Sequence, residues 1–231
     1  MNNQSLKKIL ILATILAVPG FLYYLLQEKG KNRYRPLSIF GPKEVASTFH
    51  TRRGQRIPDT IYHVISDFKL TDQSGNVVLF PPDSNHISVF NFFYTRCADC
   101  KQMNRSMGKV VEQYEHNKML QFYSISIDPE NDSPPVLKSY SAVFNIRADK
   151  WRFLTGDSSL IFKLAKNDFR VNAMPDKENP GNIIHSRMLI LVDPQKRIRG
   201  YYDSSSKEQI DKLADEIKVL IAEELRQVTR L

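Results

Sequence analysis

The sequence predicts an α/β fold: a central mixed sheet flanked by helices, with an N-terminal transmembrane helix ahead of it. Three observations carry that expectation. Ile87 to Tyr94 is an unbroken run of apolar, aromatic and β-branched residues, the composition of a strand buried on both faces. A helix-forming stretch and then a second apolar run, Leu120 to Ile127, follow with little connection between them. That makes a βαβ unit with parallel strands and a right-handed crossover. Near the C-terminus, two more apolar runs flank a tight turn and lead into an amphipathic helix.

Taken in order, the chain begins with a short polar tail, residues 1–8, ending in Lys7-Lys8. Ile9 to Leu26 then carries no charge over about 18 residues, long enough to cross a bilayer core, and Tyr23 and Tyr24 suit an interfacial aromatic belt. Phe21-Leu22-Tyr23-Tyr24 stands where a cleavable signal peptide would show small residues, so residues 9–26 are expected to stay as an anchor. Residues 27–60 read as a basic linker, with Pro36, Gly41, Pro42, Gly54 and Pro58 and little periodic pattern. A domain of residues 61–231 follows. Its first piece is a hairpin, with Tyr62 to Leu70 leading in, Gln73-Ser74-Gly75-Asn76 as the turn and Val77 to Phe80 returning.

After the strand Ile87–Tyr94, a helix over about 101–117 places Met103, Met107, Val110, Val111 and Tyr114 on one stripe. Methionines beside a cysteine pair invite a ligand reading, but the stripe suits packing against a sheet. Beyond Leu120–Ile127, Ser133 and Pro134 are N-cap and first-turn residues for a helix to about Phe144. Trp151 to Leu154 is a short strand, and Gly156-Asp157 opens a helix to about Lys166. Arg170 to Asn182 is a polar insertion, a loop or small hairpin. His185 to Val192 and Ile198 to Tyr202 form an antiparallel pair, and Lys207 to Arg226 is the closing helix, apolar at Ile210, Leu213, Ile217, Leu220 and Ile221. A central βαβ followed by a ββα unit is the thioredoxin-like arrangement.

The net charge of +8 lies entirely in the N-terminal part. Residues 1–57 hold 10 Lys/Arg against 2 Asp/Glu, and residues 58–231 hold 23 of each. A neutral folded part argues against a nucleic-acid binder, and a basic arm beside an apolar run suits lipid headgroups. The lysines are ambiguous about orientation. Lys7 and Lys8 lie before the apolar run, and Lys29, Lys31, Arg33 and Arg35 after it, which read literally would leave the folded part in the cytoplasm.

The only two cysteines, Cys97 and Cys100, sit at the junction of strand and helix. A thiol there meets unpaired backbone N–H groups and the positive end of the helix dipole, which favour the reactive thiolate. Two sulfurs about one turn apart can close a small disulfide or chelate one soft metal ion, and a C-x-x-C between a strand and a helix is a known arrangement for either. Asp99 raises a neighbouring thiol's pKa and Lys101 pulls the other way.

The strings Asn91-Phe92-Phe93-Tyr94-Thr95-Arg96-Cys97, Ser124-Ile125-Ser126-Ile127-Asp128-Pro129-Glu130-Asn131-Asp132-Ser133-Pro134, Trp151-Arg152-Phe153-Leu154-Thr155-Gly156 and His185-Ser186-Arg187-Met188-Leu189-Ile190-Leu191-Val192-Asp193-Pro194 resemble the Sco/SenC family. These are copper-binding thioredoxin-like proteins linked to cytochrome c oxidase assembly. The resemblance implies a Cu(I)/Cu(II) site at Cys97, Cys100 and His185. It also implies a membrane anchor, a domain on the extracytoplasmic (periplasmic) side, and an oxidase subunit or another copper or thiol target as partner. The family pattern has three residues between the cysteines and a proline after the second. Here only Ala98-Asp99 intervene and Lys101 follows. That loop has thioredoxin length, so Cys97 and Cys100 are also candidates for a redox-active pair in a thiol–disulfide oxidoreductase. Peroxidase chemistry lacks a convincing cysteine pattern. His50, His63, His86 and His116 lack comparable surroundings and read as surface or structural residues.

Overall fold

The computed structural model describes residues 3–30, 36–52, 54–82, 86–145, 147–176, 178 and 182–228. The chain divides into two units, Met1–Pro36 and Leu37–Leu231. The first is the helix α1 (Asn3–Gly30). Among the described residues no helix is long and apolar enough to cross a membrane, and within α1 the side chains are described continuously only over residues 11–25.

The second unit contains, in chain order, β1 (Lys43–Arg52), β2 (Gln55–Tyr62), β3 (Phe68–Asp72), β4 (Val77–Phe80), β5 (Ile87–Phe93), α2 (Ala98–Gln113), β6 (Leu120–Ser126), α3 (Pro134–Ala142), β7 (Trp151–Thr155) and α4 (Ser158–Lys163). A π-helical turn (Leu164–Asp168), β8 (Ala173–Pro175), β9 (Ile183–His185), β10 (Met188–Val192), β11 (Ile198–Asp203) and α5 (Lys207–Val228) complete it. Seven strands form one sheet in the order β11-β10-β5-β6-β7-β3-β4. The three central strands β5, β6 and β7 are parallel, and β10 and β3 flank them antiparallel. The expected α/β fold with a mixed sheet is what the chain adopts.

The middle of the sheet is β5, and all seven of its residues are buried. Phe90 lies in register with Tyr123 of β6 and Ile190 of β10, and its ring stacks on Tyr123 and packs edge-on against Phe80. Burying each such aromatic stabilises the fold by roughly 1.5–3 kcal/mol. The α2 stripe of Met103, Met107, Val110, Val111 and Tyr114 is buried, so the methionines are core residues. On α5, Ile210, Leu213, Ile217 and Leu220 are buried as expected.

Two expectations need correction. The Gly- and Pro-containing stretch read as linker holds the hairpin β1–β2, a separate two-stranded sheet. Its alternation is hidden because a bulge between Val45 and Phe49 shifts the register, and because both faces are largely exposed. Gly54, at φ +78°, supplies the left-handed residue of its turn. The preceding segment is docked as well: Phe40 N–H donates to Ile198 O at 2.8 Å and the Phe40 ring meets Tyr201 edge-on. The second correction concerns the strand expected over residues 185–192. It is broken after His185, which belongs to the small hairpin β8–β9, while β10 begins at Met188.

A buried ion cluster ties that docked segment down. Arg199 on β11 has a side chain only 1% exposed. Its guanidinium donates to Asp193, to both oxygens of Glu223 on α5, and to the carbonyls of Leu37 and Ser38. Arginine suits this place because its planar fork can serve several acceptors at once.

Candidate metal and redox centre

At the C-terminal end of β5 the chain turns through Tyr94-Thr95-Arg96, and Cys97 becomes the N-cap of α2. The Cys97 Sγ accepts the backbone N–H of Cys100 at 3.0 Å. A helix-end donor is thus aimed at the first sulfur, which favours its thiolate once the pair is reduced. Cys97 is half-buried and Cys100 fully buried, and the two are joined in a disulfide with Cα atoms 5.3 Å apart. The helix begins three residues before the expected start near Lys101, so both cysteines fall at its N-terminus.

His185 arrives on the separate hairpin β8–β9. Its Nε2 lies 3.3 Å from each sulfur. The β8–β9 pairing positions it, with Ala173 opposite His185, and Ser186 N–H donates to Asn172 O just beyond. The Tyr94 ring meets the imidazole edge-on at 5.7 Å, and Tyr94 Oη donates to Asn182 Oδ1 at the entry to β9. The His185 Nδ1 lies 3.1 Å from the Ser186 carbonyl. A carbonyl only accepts, so Nδ1 carries the proton and the Nε2 lone pair faces the sulfurs. Burial pushes the His185 pKa down, aided by Arg187 and partly offset by the Ser186 carbonyl and Asp99. Burial thus works against the imidazolium, and the neutral imidazole is the form that ligates metals.

The donor set fits a soft ion. One ligand atom from each of Cys97, Cys100 and His185 lies within 4.8 Å of the others. While the disulfide is closed, the sulfurs are bonded to each other. Reduction converts them to two thiolates beside an imidazole, a set that selects Cu(I). The same pair, at thioredoxin spacing, can exchange with an external disulfide, with half-buried Cys97 as the reachable sulfur.

Comparison with known proteins agrees with this geometry. The SCO1/SenC family model matches residues 58–222. The chain belongs to the SCO1/SenC family. It is 31% identical to an SCO2-like protein of Rickettsia typhi over 225 residues, 93% of this chain and 100% of that one. The structure of BsSco, a Sco-family cytochrome c oxidase assembly protein in which a disulfide switch has been identified, superposes with a TM-score of 0.59. The two are 26% identical, over 68% of this chain and 92% of BsSco. Yeast Sco1 with copper bound superposes with a TM-score of 0.53 at 26% identity, covering 68% of this chain and 89% of that one.

The structure brings Cys97, Cys100 and His185 together and leaves the other histidines apart. His50 pairs with Asp59, and His63 bonds the Asp168 carbonyl. Sequence reading passed over the residues that hold the cysteine turn of this SCO1/SenC domain. Asp132, fully buried, accepts from the Thr95 backbone N–H at 3.0 Å, from the Thr95 hydroxyl and from Ser126 Oγ. Arg96 makes a 2.7 Å ion pair with buried Asp128, whose carboxylate also accepts from Asn131. The signal was present, two aspartates in the string between Ser126 and Ser133, but only the fold shows that they face Thr95 and Arg96. Asp132→Asn is expected to lower stability by about 1.5 kcal/mol, because a neutral amide accepts the Thr95 N–H and the Ser126 hydroxyl more weakly than a carboxylate and its NH2 end forces the Thr95 hydroxyl to turn and accept. It should also weaken copper retention by the reduced protein. Urea unfolding and a copper competition assay check the two effects.

Proposed function

We propose that this chain is a membrane-anchored copper-binding metallochaperone and thiol-redox protein of the SCO1/SenC family. It would assist assembly of the copper centre of cytochrome c oxidase from the extracytoplasmic side. The observation that carries this reading is the convergence of two cysteine sulfurs and the His185 Nε2, 3.3 Å from each. The copper-bound yeast Sco1 structure and the oxidase-assembly role attached to BsSco support the choice of ion and target. Membrane attachment is supported by the charge-free run Ile9–Leu26 and by its helical conformation within α1.

Titrating the full chain in detergent with Cu(I) tests the reading. Reduced protein is expected to take up one copper tightly, and protein with the disulfide intact to take up none. Equal binding in both states, or none in either, overturns it.

A second reading rests on the two-residue spacing and on Cys97 at the N-cap of α2. As a dithiol, Cys97 would attack a target disulfide to give a mixed disulfide, and Cys100 would displace it. The target leaves with two thiols and the Cys97–Cys100 bond takes their place. Turnover of a disulfide substrate that survives loss of His185 favours this reading over the copper one. The two can coexist, since a chaperone that reduces its target's cysteines prepares them to receive copper.

A further inference from the structure

The β1–β2 hairpin has two chemically different faces. The register pairs Lys43 with Tyr62, Val45 with Thr60, Phe49 with Pro58 and Thr51 with Arg56, and paired residues share a face. That face holds two aromatic rings and two cations and no carboxylate. The cations lie over the rings, Arg56 at 3.3 Å from the Phe49 centroid and Lys43 at 5.6 Å from that of Tyr62. The opposite face is mixed: it holds both acids of the hairpin, Glu44 across from Ile61 and Asp59 bonded to His50, beside Arg52 and Ile57, and it has no aromatic ring besides the His50 imidazole. Val45 is 77% exposed and Phe49 48% exposed. The hairpin is a sheet of its own, and a lone two-stranded hairpin in water is marginal unless its apolar face is covered.

We propose that the Lys43/Val45/Phe49/Arg56/Tyr62 face of this hairpin docks on an anionic lipid surface, with its side chains in the headgroup region. Apolar and aromatic groups beside cations, with the carboxylates turned away, are the chemistry of an interfacial segment. Its position in the chain agrees. The protein's whole excess of positive charge lies in residues 1–57, and twelve residues separate Gly30 at the end of α1 from Lys43. Part of this stretch, Leu37 to Phe40, is docked on the domain, so in the sequence the hairpin follows closely on the helix that the proposed anchor places in the bilayer. The inference goes beyond the proposed function and leans on its membrane anchor for that last point alone.

The test uses the full chain carrying Phe49→Trp, reconstituted in vesicles of phosphatidylcholine and phosphatidylglycerol with bromine on the acyl chains. Trp151, the one native tryptophan, is buried in the core and serves as the internal reference. The introduced indole is expected to be quenched by the bromines and the wild-type emission to be unaffected. Adding Lys43→Gln and Arg56→Gln is expected to reduce that quenching, as is high salt. No quenching of the introduced indole overturns the proposal. So does emission that shifts only as protein concentration rises, which assigns the face to a second copy, or only when an oxidase subunit is added, which assigns it to a protein partner. Carbonate-resistant flotation of the same vesicles reads the anchor separately. A chain that floats with an unquenched indole fails this proposal and keeps the anchor. A chain that is washed off yet was quenched before the wash keeps this proposal and loses the anchor.

Discussion

His185→Ala is expected to reduce the Cu(I) affinity of the reduced protein by more than about 100-fold. Loss of a residue that merely orients a metal ligand already costs 10–100-fold, and here a ligand itself is removed. The imidazole is one of three donors, burial disfavours its protonation, and its Nε2 is aimed at both sulfurs by the Nδ1–H bond to Ser186. The same substitution should leave the Cys97–Cys100 disulfide able to form, because the bond depends on the α2 N-terminus and not on β9. Competition against a chromophoric Cu(I) chelator measures the first effect, and thiol counting after oxidation the second. Unchanged copper affinity would leave only the dithiol role.

Arg199→Ala is expected to carry the largest cost in stability, about 3 kcal/mol, since it removes one member of a buried ion cluster; Asp193 keeps its 2.7 Å pair with Arg197, so the loss falls mainly on Glu223 and the docked segment. Asp193 is fully buried, Glu223 mostly so, and the carbonyls of Leu37 and Ser38 lose their donor as well. For a chain of this size the melting temperature should fall by roughly 10 °C. Arg199→Lys should recover only part of it, because an ammonium cannot reproduce the fork. Thermal unfolding of the three proteins followed by circular dichroism decides this. The effect is structural, so copper affinity at low temperature should change little.

The two proteins would separate what the sequence made legible from what it hid. β5, α2 and β6 were readable because burial on both faces and a 3.6-residue stripe leave strong patterns in Ile87–Tyr94 and in Met103 to Tyr114. The Cys97–Cys100 pair announced itself by spacing alone, while His185 was reached through the family strings around it. The break after His185 left only a faint trace, because two polar residues, Ser186 and Arg187, can equally sit inside an otherwise strand-like run. No pattern reveals the π-helical turn at Leu164–Asp168, which the sequence reading merged with α4. Long-range polar contacts were the least legible. Nothing local ties Asp132 to Thr95, or Arg199 to Glu223 and Leu37. Each contact exists only after the sheet has brought distant segments together.

Copper-edge X-ray absorption on the reduced, Cu(I)-loaded full chain tests the central claim most directly, because it reads the ligands themselves. The account predicts two sulfur scatterers and one imidazole on a single copper. A copper bound by sulfur alone, with a spectrum that His185→Ala leaves unchanged, would contradict it.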